Sequence, residues 1–452
     1  MGVVALADFG STYTKVRLVD PDQGELLARA EAPTTIGSDL MEGYAAALAA
    51  ARGSLGPEIT FDEQMAVSSA GGGLRVAAVG LVADLTAAAA RQAALNAGAR
   101  VEVVLAGALA DQHLDELRAS RPEIVLFAGG TDGGQAERVL ENARRLAARH
   151  LGGNAVVACN AAIAEEVAAT LRDAGTRVAI AANVMPELGR LEIDSARAEI
   201  LRLFLEHVIG GKGLSVSPEF ARMVRLPTPE AVLEATRLLG DAVVIDVGGA
   251  TTDVHSTRSS ETAMPGVEDP LLPPPATLRT VEGDLGLRAG APGVLAADSR
   301  WLEAQEGVEG VAIRQAVSKR AEYPDWIPEG AEELRLDALL AAGCATHALA
   351  RHSGTMLLAR AESGSPTLKR EGADLREVKL VLGTGGVFAH REDGKAILRE
   401  ALKRKPPRSL VPDDPALAID HGYVLAAAGL LATEDRDGAK RLLDRELLDG
   451  IN

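Results

Sequence analysis

Three short apolar runs, far apart in the chain, each lead into a glycine-containing turn. The runs begin at Val3 (VVALA), Val243 (VVIDV) and Leu380 (LVL), and the turns that follow read DFGSTYTK, GGATTD and GTGG. Short runs of apolar and β-branched residues bounded by glycine are typical of buried strands. The pattern therefore predicts three strands that each end in a tight turn.

The opening of the chain has the pattern of a strand meander followed by a helix. Strands are predicted at Val3–Ala7, Lys15–Val19 and Leu26–Glu31, with a turn at Asp20–Gly24. Apolar residues at helical spacing then predict a helix over Leu40–Arg52, with Asp39 or Ser38 as its N-cap.

Between Leu85 and Met185, alanine-rich helical runs alternate with short apolar strands. The strands are predicted at Val101–Leu105, Ile124–Ala128, Ala155–Cys159 and Val178–Ala182. This alternation is typical of a parallel, doubly wound sheet and indicates an inserted α/β subdomain. The second strand ends in AGGTDGG (Ala128–Gly134), which is either a ligand loop or a tight turn from strand to helix.

The rest of the chain is predicted to be largely helical around the second and third strand-and-turn segments. Helices are predicted at Asp194–Val208, Pro229–Leu239, Leu334–Arg351, Thr355–Ala361 and, with small residues, Asp420–Ala432. The proline-rich segment Pro265–Pro275 can form neither a helix nor a central strand, so an ordered loop or linker is expected there.

A chain of 452 residues exceeds what one hydrophobic core usually covers, so we expect two or more domains. The predicted division is the first part of an N-terminal lobe at 1–84, the inserted α/β subdomain at 85–185, a helical return to the core at 186–240, and a C-terminal lobe with a helical subdomain at 241–452. The hydrophobic content of 47% and charged content of 25% are those of a globular protein.

The net charge of −17 disfavours non-specific binding to nucleic acid or to an anionic membrane. The basic cluster Lys403–Arg408 is short and broken by proline, so a solvated loop is expected there. The chain begins without a signal-peptide pattern, and the apolar run Gly422–Ala432 is too short to span a bilayer. The sequence therefore predicts a cytoplasmic protein with neither a nucleic-acid nor a membrane partner.

Several common catalytic patterns are missing from the sequence. It contains no Walker A, dinucleotide-binding, HExxH or GxSxG motif, and its two cysteines, Cys159 and Cys344, lie in apolar surroundings without metal-ligand spacing. An ordinary P-loop protein, a zinc enzyme and a serine hydrolase are therefore all disfavoured.

The strand-and-turn segments themselves have the composition of a phosphate site. Asp8 and Asp246 each end a predicted strand, and across a cleft they could hold Mg²⁺ largely through its water ligands. The hydroxyls and backbone amides that follow suit phosphate oxygens, and the third turn lets a purine or ribose approach the backbone.

The order DFGSTYTK, IDVGGATTD, LGTGG and a small-residue helix at Gly422–Gly429 resembles the nucleotide-binding motifs of the actin, sugar-kinase and heat-shock-chaperone ATPase superfamily. The resemblance spans Val3–Leu431. It implies an α/β, two-lobed actin-like ATPase fold with ribonuclease-H-like halves, an inserted parallel α/β subdomain, and ATP with Mg²⁺ as cofactors.

Within that superfamily, SSAGGGLR (Ser68–Arg75), AGGTDGG and TVEGDLGLR (Thr280–Arg288) resemble the MutL-type accessory proteins of glutamate mutase, which are unrelated to the mismatch-repair protein of the same name. This resemblance implies an ATP-dependent reactivating chaperone that releases damaged cobalamin from an adenosylcobalamin-dependent aminomutase. Its expected partners are the mutase subunits, and the sequence leaves open whether the chain forms a homo-oligomer.

The resemblance also assigns roles to individual residues. It implies that Asp8 and Asp246 organise Mg²⁺ and the attacking water. Phosphate contacts are implied for Gly10, Ser11, Thr12, Lys15, Gly248, Gly249, Thr251 and Thr252, adenosine contacts for Gly383, Thr384, Gly385 and Gly386, and a place at the rim for Asp253. The alternative for Lys15 is a strand residue that points to solvent.

Glu282 and Asp284 lie in the TVEGDLGLR segment and allow two interpretations. They could act as a general base or a Mg²⁺ ligand, or they could cap the turn at Gly283 and Gly286. Two other functions use the same phosphate turns: a small-molecule kinase, which transfers the γ-phosphate to a metabolite, and an actin-like filament ATPase.

Overall fold

The computed structural model describes residues 2–56, 60–61, 63–149, 153–208, 213–259, 264–305, 310–360 and 366–449. The chain forms two compact units. Unit 1 comprises Met1–Glu234, Leu271–Pro275 and Ala426–Ala439, and unit 2 comprises Ala235–Pro270, Ala276–Leu425 and Lys440–Asn452.

The described residues form the following regular elements. The strands are β1 (Val4–Phe9), β2 (Tyr13–Asp20), β3 (Glu25–Pro33), β4 (Glu63–Ser68), β5 (Leu74–Gly80), β6 (Ala99–Ala106), β7 (Ile124–Gly129), β8 (Asn154–Cys159), β9 (Arg177–Ile180), β10 (Val224–Pro227), β11 (Ala242–Val247), β12 (Thr252–Thr257), β13 (Val267–Glu268), β14 (Thr277–Glu282), β15 (Thr355–Arg360), β16 (Pro366–Glu371), β17 (Leu380–Thr384) and β18 (Ala416–Ile419). The helices are α1 (Leu40–Gly53), α2 (Ala88–Asn96), α3 (Asp111–Ser120), α4 (Glu137–Ala148), α5 (Ala164–Asp173), α6 (Asp194–Leu203), α7 (Pro218–Met223), α8 (Thr228–Leu239), α9 (Ala291–Glu303), α10 (Gly310–Glu322), α11 (Ala331–His352), α12 (Gly386–Ala389), α13 (Gly394–Lys403), α14 (Val424–Leu431) and α15 (Arg436–Leu443).

The first sheet of unit 1 has the strand order β10-β4-β1-β2-β3. The meander β1-β2-β3 is antiparallel, whereas β4 runs parallel to β1 and β10 runs parallel to β4. The predicted meander is therefore confirmed. The predicted helix is also confirmed as α1, and its N-cap is Asp39, whose side chain accepts a hydrogen bond from the Met41 backbone N–H.

The second sheet of unit 1 is parallel, with the order β6-β5-β7-β8-β9. Alternate residues of its strands enter two different cores: Leu126 and Val156 pack on one face, and Phe127 and Val157 pack on the other. The predicted parallel α/β arrangement is confirmed. The sheet also contains β5, which precedes the expected range 85–185 and which the sequence analysis missed because its short run directly follows a glycine turn.

The main sheet of unit 2 has the order β14-β12-β11-β17-β18. Its first three strands are antiparallel, and β17 and β18 continue in parallel from β11. Read as β3-β2-β1-β4-β10, the first sheet of unit 1 has the same order and the same directions. This repeated topology is that of the ribonuclease-H-like halves of an actin-like ATPase, so the predicted fold class is confirmed.

The predicted helix at Thr355–Ala361 is wrong. Residues Thr355–Arg360 form β15, which pairs antiparallel with β16, and Ala361 lies outside the described residues. Met, Leu, Ala and Arg are good helix formers, but tertiary pairing overrides such a weak local preference. A Cβ atom at Gly354 would collide with the Glu371 carbonyl oxygen, so glycine permits the close approach of the two strands.

Two further segments refine the predictions. The proline-rich segment Pro265–Pro275 contains the two-residue strand β13, which lies at the edge of the sheet β13-β16-β15. The small-residue helix starts later than Asp420, because the Asp420 carboxylate accepts hydrogen bonds from the backbone N–H groups of Val424 (2.7 Å) and Leu425 (3.3 Å).

Within the described residues, no helix is both long and apolar enough to cross a membrane.

Candidate functional site

In unit 1, the turn between β1 and β2 is closed by its glycine. The Gly10 N–H donates to the Tyr13 carbonyl oxygen at 3.2 Å, and a Cβ atom at Gly10 would lie 2.6 Å from that oxygen. Any other residue would therefore open the turn. Ser11 and Thr12 are exposed at its tip, where their hydroxyl and N–H groups are accessible to a ligand.

The carboxylate of Asp8 is held by two side chains of unit 1. Its Oδ1 accepts a hydrogen bond from the Thr228 hydroxyl at 2.7 Å, and its Oδ2 lies 3.5 Å from Lys15 Nζ. Lys15 is directly opposite Asp8 in the β1–β2 register. The lysine is thus an ion-pair partner of Asp8 and not a side chain directed only at solvent. Thr228 was missed by the sequence analysis.

In unit 2, the turn between β11 and β12 repeats this geometry. Asp246 is opposite Asp253 as Asp8 is opposite Lys15, and the Gly248 N–H donates to the Thr251 carbonyl oxygen at 2.9 Å. Gly249 at the tip is exposed. Each hairpin therefore presents an aspartate at the end of a strand beside a short turn with accessible N–H groups, which is an arrangement suited to anions.

The third predicted turn lies directly beside Asp246. Gly385 has a φ of +96°, and a Cβ atom there would lie 2.5 Å from the Val247 carbonyl oxygen and 2.9 Å from Asp246 Oδ1. Glycine is required at this position both by the left-handed backbone and by the close approach. The structure thus brings the second and third predicted turns together within unit 2.

The other residues of the third turn have different surroundings. A Cβ atom at Gly383 would lie 2.9 Å from the Phe388 ring, so this glycine allows internal packing. The buried Thr384 hydroxyl donates to Asp420 Oδ2 at 3.1 Å. Gly386 lies near the Tyr423 hydroxyl. Gly385 and Gly386 are therefore better placed for a ligand than Gly383 and Thr384, whose implied adenosine contacts gain no support from their packing.

Two residues on β12 also have roles that differ from the implied ones. The Thr252 hydroxyl is buried and donates to the Leu285 carbonyl oxygen at 2.9 Å, so it holds a neighbouring loop and does not face a ligand. The Asp253 carboxylate is ion-paired with the buried Arg279, at 3.0 Å from Nε, and is not a free group at a rim. Thr251 Oγ1 lies 3.4 Å from Asp253 Oδ2.

Glu282 and Asp284 share one cationic partner that the sequence analysis missed. Arg351 donates to Glu282 Oε2 at 2.8 Å and to both oxygens of Asp284 at 2.7 and 3.0 Å. This guanidinium lowers the pKa of Asp284, and the two carboxylates in turn raise the pKa of Arg351. Both side chains therefore engage Arg351, and neither is placed by these hydrogen bonds as a cap of the turn.

The two remaining family-like segments lie in unit 1. In the SSAGGG segment, the Ser69 N–H donates to the Phe9 carbonyl oxygen at 3.0 Å, which places the segment beside the Asp8 turn. In AGGTDGG, the Asp132 carboxylate accepts hydrogen bonds from the Ala161 N–H and the Asn183 amide, each at 2.8 Å. These hydrogen bonds connect the loop to the neighbouring segments that contain Ala161 and Asn183. They support the interpretation of AGGTDGG as a tight turn.

Asp8 and Asp246, each within its own unit, have the chemistry of a carboxylate that contacts a hydrated magnesium ion. Both are partly exposed carboxylates at strand ends, and hard oxygen ligands of this kind suit Mg²⁺. Among the described residues, no group of three or more His, Cys, Asp or Glu side chains could hold a metal ion by direct ligation. The residues therefore suit a metal that arrives with a phosphate ligand.

A family model described as "MutL protein" matches residues 4–447 of the chain. Protein MutL from Clostridium tetanomorphum is 39% identical over 461 residues, which cover 99% of this chain and 100% of the relative. The chain belongs to the MutL protein family. The matched residues include both hairpins, the inserted parallel sheet and the third turn.

Solved structures similar to this MutL-family chain have much lower sequence identities. They include a glycerol dehydratase reactivase (13% identical, TM-score 0.36, covering 95% of this chain and 99% of that chain) and a nucleotide-free acetone carboxylase (15%, 0.39, 95% and 70%). A ROK family glucokinase from Streptomyces griseus, in complex with glucose and AMPPNP, is also similar (12%, 0.28, 98% and 99%). The fold assignment rests on the repeated strand order.

Proposed function

We propose that this MutL-family chain is an ATP-dependent reactivating chaperone for an adenosylcobalamin-dependent aminomutase of the glutamate mutase type. In this proposal, ATP hydrolysis drives the release of damaged cobalamin from the mutase subunits. The observation that carries the proposal is the pair of equivalent hairpins, each with an aspartate at the end of its strand and a turn with exposed N–H groups. Membership of the MutL family supports the choice of partner.

The proposal gives the hairpin residues distinct roles. When bound, ATP with Mg²⁺ would supply the γ-phosphoryl group and neutralise part of its charge. Asp8 and Asp246 would each hold waters of the bound metal, and Lys15 adds a positive charge beside Asp8. Backbone N–H groups hold the phosphate oxygens, and Gly385 leaves room for the adenosine. The residues proposed for phosphate are Gly10, Ser11, Thr12, Lys15, Gly248, Gly249 and Thr251.

Glu282 has a narrower proposed role. Its carboxylate ends β14, opposite Thr252 in the β12–β14 register, and accepts a hydrogen bond from Arg351. A carboxylate at the end of a strand can act as a general base towards water. We therefore retain it as a proposed general base of the hydrolysis step.

The proposal is tested by recovery of activity of an inactivated aminomutase holoenzyme. Wild-type chain with ATP, Mg²⁺ and fresh adenosylcobalamin is expected to restore activity, and a non-hydrolysable ATP analogue is not. The Asp246→Asn variant is expected to fail with either nucleotide. No recovery with the wild-type chain, or equal recovery with ATP and the analogue, would contradict the proposal. Strong stimulation of ADP release by one small metabolite would instead assign a kinase.

A further inference from the structure

The segment Glu282–Gly290 of unit 2, which we call the brace, lies directly against the Asp246 hairpin. Three of its backbone N–H groups donate to two carbonyl oxygens of the turn. Leu287 donates to Gly248 at 3.0 Å, and Arg288 and Gly290 donate to Gly249 at 2.7 and 3.3 Å. The brace therefore supplies hydrogen-bond donors to the two carbonyl oxygens on the side of the turn that faces it.

These hydrogen bonds also fix the direction of the turn's own donors. A trans peptide unit is planar, so the carbonyl of one residue and the N–H of the next point in opposite directions. Since the carbonyls of Gly248 and Gly249 face the brace, the N–H groups of Gly249 and Ala250 point away from it. Both residues are exposed, so these two donors are directed at any phosphate bound by the turn.

The brace and the turn are packed too closely to move independently. A Cβ atom at Gly286 would lie 2.6 Å from the Gly249 carbonyl oxygen, and one at Gly290 would collide with the Ala250 carbonyl oxygen. Backbone atoms fill this space on both sides. A displacement of the brace would therefore displace the phosphate-facing N–H groups.

Helix α11 holds the brace through ion pairs at two points. Arg351, in the last turn of the helix, binds Glu282 and Asp284. Asp337 accepts hydrogen bonds from Arg288 at 3.3 Å and 3.1 Å. At 1.5 Å of rise per residue, Asp337 and Arg351 are about 21 Å apart along the helix. The helix thus holds the brace on both sides of Gly286, which packs against the turn.

The ion-pair network at Asp337 also includes a second helix. Arg320 on α10 is fully buried, and its Nε donates to Asp337 Oδ1 at 2.8 Å, while Glu333 on α11 is a further ion-pair partner of Arg320. Separation of a buried ion pair leaves an uncompensated buried charge, which is strongly unfavourable. The pairs of Arg320 therefore keep the two helices in one relative position. The helices α10 and α11 and the brace are therefore joined by one charged network.

We infer that Asp337 and Arg351 are positioning residues, which set the phosphate-binding N–H groups of Gly249 and Ala250 through the brace. The inference rests on the proposed function for the identity of the ligand, a nucleoside triphosphate or diphosphate. Linkage requires the reverse effect as well: a phosphate bound at the turn stabilises the same arrangement of α11. Any partner that displaces α11 then changes the affinity for nucleotide.

The test compares the affinities of the full chain for ADP and for adenosine by calorimetry. Arg351→Gln and Asp337→Asn are expected to weaken the binding of ADP about tenfold, because hydrogen bonds between charged groups are lost. The affinity for adenosine is expected to change less than about twofold. Arg351→Lys keeps one charge and is expected to restore part of the loss. Arg314→Gln, which breaks the exposed Arg314–Glu303 pair (2.8 Å) away from the brace, is the matched control.

A second measurement needs no nucleotide. Amide hydrogen exchange at Leu287, Arg288 and Gly290 is expected to be faster in Arg351→Gln and Asp337→Asn than in wild type or Arg314→Gln. Equal losses of ADP and adenosine affinity, or variants that behave like the control, would overturn the positioning role. If the wild-type protein binds neither ADP nor ATP, the proposed function is contradicted instead. The amide hydrogen exchange rates alone would then decide whether α11 holds the turn in place.

Discussion

At the scale of single residues, the two hairpins differ in what surrounds their aspartates. Asp8 is hydrogen-bonded to Thr228 and paired with Lys15, whereas Asp246 adjoins Gly385. The first aspartate is thus held by side chains and the second lies against a glycine backbone. In the proposed function, Thr228 and Lys15 orient the Asp8 carboxylate.

Thr228 provides a test of that orientation. Thr228→Val keeps the shape of the side chain but removes the hydrogen bond to Asp8, and a hydrogen bond to a charged group is worth about 1.5–3 kcal/mol. ATP turnover is expected to fall about tenfold or more, with little change in melting temperature. Thr228→Ser should keep most of the turnover. Wild-type turnover in Thr228→Val would show that this hydrogen bond does not orient Asp8 for the reaction.

A buried histidine predicts acid sensitivity of unit 2. His352 is hydrogen-bonded to Thr280 and Ser256 at 2.8 Å each, and burial, with a smaller contribution from Arg258, lowers its pKa to about 3. The pKa of His255 is lowered in the same direction, mainly by burial. The folded state therefore keeps His352 neutral at pH values where the unfolded chain binds a proton.

Because the unfolded chain binds more protons below its histidine pKa of about 6.5, stability rises with pH in this range and is lost on acidification. His352 alone is expected to remove roughly 1.4 kcal/mol of stability per pH unit between about pH 6 and pH 3. Denaturant unfolding at several pH values checks this. His352→Gln is expected to be less stable near neutral pH but to show a shallower pH dependence, and an unchanged slope would contradict the assignment.

At the scale of elements, the sequence predicted correctly those helices and strands whose conformation is determined by their own residues. The meander β1-β2-β3, helix α1 and the parallel strands β6-β9 could all be predicted, because each has its own periodicity and turn residues. Strand β15 could not, since its partner β16 decides its conformation and its own residues favour a helix. The fold class followed from the resemblance of the three turns and the small-residue helix to the nucleotide-binding motifs of the actin-like ATPase superfamily.

The site was predictable only in part for the same reason. The aspartates and glycines lie in compact motifs that the sequence displays, but their partners come from distant positions: Thr228 is 220 residues from Asp8, and Arg351 is 69 residues from Glu282. No local pattern marks a lone threonine or arginine as such a partner. The sequence also does not show that the hydroxyls of Thr252 and Thr384 are buried and hydrogen-bonded to the Leu285 carbonyl oxygen and to Asp420.

Helix packing in unit 1 gives a prediction at this scale. Gly429 of α14 lies against the backbone of α8, and a Cβ atom there would collide with the Ala231 carbonyl oxygen. Gly429→Ala is therefore expected to destabilise the chain by about 2 kcal/mol through overpacking. Thermal unfolding checks this against Gly37→Ala, where no atom lies within 4 Å of the added carbon. Equal melting temperatures for the two variants would contradict the close packing.

At the scale of the whole molecule, the repeat is the most informative feature. Equivalent positions of the two hairpins lie 238 residues apart in the chain: 8 and 246, 10 and 248, 13 and 251, 15 and 253. The two sheets that carry these hairpins have the same strand order and directions. The MutL family match covers both. In the proposed function each hairpin contacts phosphate, which accounts for two copies of one topology in the chain.

The measurement that tests this account most directly is release of phosphate from ATP by the purified chain, with and without Mg²⁺. We expect Mg²⁺-dependent hydrolysis by the wild-type chain and none by Asp8→Asn or Asp246→Asn, because each substitution removes a charge that orients the metal's waters. Both variants should keep the wild-type circular dichroism spectrum, since the two side chains lie at strand ends and outside the core. Wild-type turnover in either variant would contradict the account.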